Sequence, residues 1–84
     1  MSKETYWRKF LNKSRGKAAV EVDDAGDGYI ELSITDCRRA INLEFYVDRD
    51  NPEKSAKELK HKLSVLRTAL DKVEAQIDKY LSKA

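Results

Sequence analysis

The stretch "DDAGDGYIEL", Asp23 to Leu32, carries the donors that could hold a calcium ion. It has acids at the first, fifth and ninth positions and glycine at the sixth. An EF-hand loop draws oxygen ligands from positions 1, 3, 5, 7 and 9 and closes on a bidentate Glu at position 12. Here the third position is Ala25 and the twelfth is Ile34. The flanks "KAAVEV" and "YIELSI" alternate apolar with polar residues, the pattern of strands where the motif needs helices. The stretch therefore predicts a β-hairpin whose turn is built from Asp24, Ala25, Gly26, Asp27 and Gly28, with no metal bound.

Little else points to catalysis. Cys37 stands beside Arg38 and Arg39, cations that can lower a thiol pKa, but no base for a Cys–His pair is near in sequence. A plain turn cysteine is the expectation. His61 falls on the polar back of a helical pattern, in "KELKHKLS". There is no zinc spacing, phosphate loop or nucleophile elbow. No catalytic constellation, metal or cofactor is expected.

Two segments carry binding chemistry. "YWRKFLNKSRGK" interleaves aromatics with Arg8, Lys9, Lys13, Arg15 and Lys17, a mixture that serves stacking and phosphate contact in nucleic-acid modules. The central segment offers the opposite charge. Glu21, Asp23, Tyr29, Glu31, Ser33, Thr35, Asn42, Glu44, Tyr46 and Asp48 all fall at the outward positions of the predicted strands. Tyrosines set among charges match the anatomy of protein interfaces. Glu21, Tyr29, Glu31, Glu44, Tyr46 and Asp48 are the expected contacts for a protein partner with a basic surface.

Charge is segregated along the chain. Residues 1–17 hold six Lys/Arg and one Glu, residues 18–53 ten Asp/Glu and three Arg, and residues 54–84 eight Lys/Arg and four Asp/Glu. The balances of +5, −7 and +4 sum to the net +2. An acidic middle thus lies between basic ends. The 84 residues predict a single domain, 1–84, of modest intrinsic stability. Cys37, the sole cysteine, excludes an intrachain disulfide. With the charged start "MSKETYWRKF" and no run near the ~20 apolar residues of a membrane span, the expected setting is cytoplasmic, with no membrane partner.

The elements that must position these residues are legible as periods. Tyr6, Trp7, Phe10 and Leu11 share one side of a helix, predicted over 2–15 with Ser2 as cap and Gly16 as stop; a strand is the alternative. Strands follow at Lys17–Asp23, Tyr29–Asp36 and Ala40–Asp48, the last two joined by a tight turn at Cys37 and Arg38. Val20, Val22, Ile30, Leu32, Ile34, Ile41, Leu43, Phe45 and Val47 alternate onto one face, which predicts an antiparallel meander over 17–48 with a dry side and a wet side. Pairing Val22 with Ile30 leaves an odd-numbered loop, for which Asp27 or Gly28 supplies the positive φ. Asn51, Pro52 and Glu53 open a helix over 52–82.

In that helix Ala56, Leu59, Leu63, Leu66, Leu70, Val73, Ile77 and Tyr80 follow alternating spacings of three and four, a heptad stripe. The helix runs roughly 45 Å, whereas a strand of eight residues spans only ~26 Å. The sheet can cover the near part of the stripe; Leu70, Val73, Ile77 and Tyr80 are left for the N-terminal helix or for a second chain, and a homodimer is expected. The fold class is α+β: a short N-terminal helix, a three-stranded antiparallel meander, and a long amphipathic helix on the apolar sheet face. In size, charge segregation and lack of catalytic residues the chain resembles small phage-encoded inhibitors, anti-CRISPR proteins among them, a likeness of style that rests on no common motif. It implies a non-enzymatic regulator, inhibitor or adaptor; the alternative is a nucleic-acid-binding module using Arg8, Lys9, Lys13 and Arg15.

Overall fold

The computed structural model describes residues 4–12, 16–36 and 38–83. The fold is α+β, an antiparallel sheet followed by one long C-terminal helix. Strands β1 (Glu4–Phe10), β2 (Ala19–Gly26), β3 (Tyr29–Asp36) and β4 (Arg39–Tyr46) precede helix α1 (Pro52–Lys83). The chain divides into two compact units, with the boundary in sequence between Pro52 and Glu53.

The sheet has the order β1-β2-β3-β4, every neighbour antiparallel. It has four strands, one more than the sequence predicts, because the segment expected as an N-terminal helix is β1. The physical reasons are local. A helix this short is marginal in water, while Thr5, Tyr6, Trp7 and Phe10 all favour a pleated surface. Without β1, the outer edge of β2 would present unpaired backbone groups. The arm is also basic where β2 is acidic: Arg8 lies opposite Glu21 in the ladder, and their side chains pair at 3.4 Å. The backbone N–H of Leu11 donates to the Ala18 carbonyl at 2.8 Å, closing the β1–β2 connection.

The hairpin at Asp23–Leu32 forms, with a different register from the one expected. Val22 pairs with Leu32, and Ile30 pairs with Asp24. The ladder shifts between Asp24 and Gly26, so the odd residue is a bulge at Ala25 within the strand, and the loop shrinks to Asp27 and Gly28. Those two adopt φ of 55° and 86°, the backbone of the tight hairpin turn that Asp-Gly favours. The Asp24 carboxylate accepts a hydrogen bond from the Gly26 N–H at 2.9 Å and fixes the bulge. Because the bulge absorbs the extra residue, Val20, Val22, Ile30, Leu32 and Ile34 still share a face, as their alternation requires.

On that face Ile30, Leu32 and Ile34 pair directly with Phe45, Leu43 and Ile41, and Trp7 joins them opposite Val22. Phe45 is the buried large side chain among them. Helix α1 has Pro52 at its first position and Glu53 in its first turn, where a fixed φ and a negative charge both suit the free N–H groups. No described helix is long and apolar enough to cross a membrane.

Candidate functional site: an acidic, tyrosine-bearing sheet face

The register fixes which side chains meet on the polar face. In an antiparallel ladder, directly opposed residues point the same way. Thr5, Asp23, Glu31 and Glu44 therefore form one row across the four strands, and Arg8, Glu21, Ser33 and Asn42 form the next. Phe10, Ala19, Thr35 and Ala40 form a third. Beyond the acidic row Tyr29 pairs with Tyr46. Their rings meet at a centroid distance of 4.6 Å and are tilted by 33°, within the separation at which aromatic pairs attract. They are 43% and 44% exposed.

Gly28 makes room for this pair. A methyl group at its Cα would collide with the Val47 carbonyl and touch the Tyr46 ring, and the Gly28 carbonyl itself accepts the Val47 N–H at 2.8 Å. The hairpin tip is thus drawn against the end of β4, beside the two tyrosines. Arg49 reaches the same tip and pairs with Asp27 at 3.6 Å.

Three carboxylates in one row repel one another, since like charges directly opposite destabilise a ladder. Asp23 is 2% exposed and its Oδ1 has no hydrogen-bond partner. Glu31 accepts from the Ser33 hydroxyl at 3.2 Å, and Glu44 is also engaged. The other end of the face is mixed in sign. Arg8 pairs with Glu21 there and lies over the Phe10 ring at 5.0 Å, and a cavity of about 220 Å³ is lined by Arg8, Lys17, Ala19, Glu21, Ser33 and Thr35.

The expected contact residues therefore separate into groups. Tyr29, Glu31, Glu44 and Tyr46 come together at one end of the face. Glu21 shares the face but pairs with Arg8. Asp48 lies past the end of β4, and its carboxylate accepts the Asp50 N–H at 2.9 Å in the turn that leads to α1. The four cations proposed for nucleic-acid contact do not form a stripe among the described residues. Arg8 and Lys9 are neighbours on a strand and face opposite sides, while Lys13 and Arg15, like Cys37, lie outside the described residues. The tyrosine contact was within reach of the sequence: a two-residue turn at Cys37 and Arg38 puts Tyr29 opposite Tyr46 by counting alone. The burial of Asp23 had no such signal, because it depends on the neighbouring strand β1.

On α1, Leu70, Val73, Ile77 and Tyr80 lie along one stripe and are 54–73% exposed. Among the described residues no group of three or more His, Cys, Asp or Glu is arranged to hold a metal ion. Comparison with protein-family models, curated proteins and solved structures gives no match.

Proposed function

We propose that this protein is a small non-enzymatic binding module, a regulator, inhibitor or adaptor that captures a basic protein partner on its acidic sheet face and dimerises through the distal part of α1. The observation that carries the reading is the Tyr29–Tyr46 contact, at 4.6 Å, on the same face as the row Asp23–Glu31–Glu44. Two half-exposed, mutually braced rings supply an anchor at little entropic cost, and the carboxylates beside them steer a cationic surface towards it. The contact patch centres on Tyr29, Glu31, Glu44 and Tyr46, with Glu21 and Asp48 at its rim. Arg8, spent on Glu21, counts against the nucleic-acid alternative. Leu70, Val73, Ile77 and Tyr80, exposed on α1, are apolar surface that a second copy would cover.

The test compares baits. Partners captured by the wild-type protein are identified, and their affinity is measured again with the double variant Tyr46→Ala and Glu44→Lys. Both positions are exposed, so the fold should persist. The double change removes an anchor and reverses a steering charge, and affinity should fall at least about tenfold. Unchanged affinity would remove the acidic face as the binding site.

A further inference from the structure

The polar flanks of the α1 stripe do more than keep the helix in solution, because their charges distinguish one direction of pairing from the other. In heptad terms the stripe places Ala56, Leu63, Leu70 and Ile77 at a, and Leu59, Leu66, Val73 and Tyr80 at d. The residues that follow the d positions, at e, are Lys60, Arg67, Glu74 and Leu81; the g positions are Ser55, Lys62, Ala69, Gln76 and Lys83. Charges at e and g set the orientation of a coiled coil.

A parallel pair sets each g residue against the e residue of the following heptad on the second copy. Lys62 would then face Arg67 of the second copy, once on each side of the seam. The remaining pairs, Ser55 with Lys60, Ala69 with Glu74 and Gln76 with Leu81, bring no attraction between opposite charges. The core residues also disagree with a parallel dimer, which prefers β-branched residues at a and Leu at d; here Val73 occupies d and leucines occupy two of the a positions. An antiparallel pair instead sets e against e and g against g. Arg67 and Glu74 lie one heptad apart on the same flank, so a two-fold axis midway between them puts each opposite the other's counterpart. Two ion pairs form, Lys60 lies along Leu81, and the uncharged Ala69 and Gln76 occupy the centre of the other flank, with the like-charged positions Lys62 and Lys83 set against each other only at its outer ends. Lys60, Arg67 and Glu74 are all exposed on α1.

From this complementarity we infer that the second copy docks antiparallel on the distal stripe of α1, with Arg67 and Glu74 as reciprocal partners across the seam. The inference rests on the dimer reading above and specifies its geometry. An antiparallel seam sets the two helix starts far apart, so each copy's Pro52 end stands clear of the other.

Two measurements test this on the full chain. A nitroxide on Lys57→Cys, in a Cys37→Ser background, reports the distance between the two helix starts by pulsed electron resonance. At 1.5 Å per residue, antiparallel pairing gives roughly 30–45 Å along the axis, against under ~20 Å for a parallel pair. The second measurement is the dimer dissociation constant. Arg67→Glu should raise it roughly tenfold by turning two attractions into repulsions, and adding Glu74→Arg should restore it. In a parallel dimer Arg67→Glu would instead face Lys62 and tighten the complex. A doubled mass with a long distance and a weakened Arg67→Glu variant is the expected result. A doubled mass with a short distance, or a tightened variant, overturns the orientation and leaves the dimer standing. A mass of 9.7 kDa in solution overturns both.

Discussion

At Gly28 two constraints coincide. Its φ of 86° lies in the left-handed region, and a Cβ there would collide with the backbone of Val47. Backbone cannot step aside as a flexible side chain can. Gly28→Ala should therefore lower stability by about 1–3 kcal/mol, read as a drop in the urea midpoint, and should also loosen the Tyr29–Tyr46 contact that the hairpin tip supports. Gly26 shares the positive φ, at 85°, so Gly26→Ala measures the cost of the backbone conformation and should be the milder change. Equal effects at the two positions would show that φ alone, and not the approach to Val47, sets the requirement. The acidic row offers the converse case. Asp23 is buried with an unpartnered oxygen opposite Glu31, so Asp23→Asn removes a charge that the ladder disfavours. It should stabilise the protein by about 1 kcal/mol, and a fall in the melting temperature would mean that the carboxylate has a positive role in the fold.

Among the elements, β1 is the one whose type the surroundings decide. Its apolar spacing fits a helix, but as a strand it pairs along the whole outer edge of β2. Trp7 then turns to the apolar face and Phe10 to the acidic one, which divides residues that a helix would have kept together. Helix content measured by far-UV circular dichroism should match the 32 residues of α1 and leave nothing for residues 4–10. An excess of about two-fifths over that content, the 14 residues of 2–15 against the 32 of α1, would restore the N-terminal helix. The same division breaks up the basic stripe. Arg8 is held against Glu21 and Lys9 faces the other way, so these two cations do not share one surface.

For the whole molecule the sum of charges is a poor guide and their distribution a good one. A net +2 with a pI near 8.7 suggests weak attraction to nucleic acid, yet the polar sheet face is acidic at its tyrosine end. Binding to short single-stranded oligonucleotides should be weak at low salt and gone near physiological salt, because few phosphates can be neutralised at once. A complex that survives physiological salt, and is abolished by changing Arg8, Lys9, Lys13 and Arg15 to Ala, would replace the protein-binding reading with the nucleic-acid one. Doubling of the chain would add avidity to either kind of binding, since two linked sites act at a high effective concentration.

The period-two alternation of Val20 to Val47 and the heptad of Ala56 to Tyr80 were enough by themselves to determine strands β2 to β4, their apolar and polar faces and the long helix, because side-chain direction follows directly from backbone geometry in regular elements; they did not make the apolar face dry, since Ile30 and Ile41 stay exposed. The same alternation placed Glu31, Glu44, Tyr29 and Tyr46 on one face. Three things waited for the tertiary structure. The edge of β2 turned an aromatic, basic segment into β1; a bulge at Ala25 moved the hairpin register; and the arrival of β1 beside β2 brought Arg8 to Glu21. The first and third depend on contacts between residues distant in sequence, and the second on a hydrogen bond across two residues, from the Gly26 N–H to Asp24, that alternation does not encode. A local pattern states which way a side chain points, but only the neighbouring strand decides what it meets.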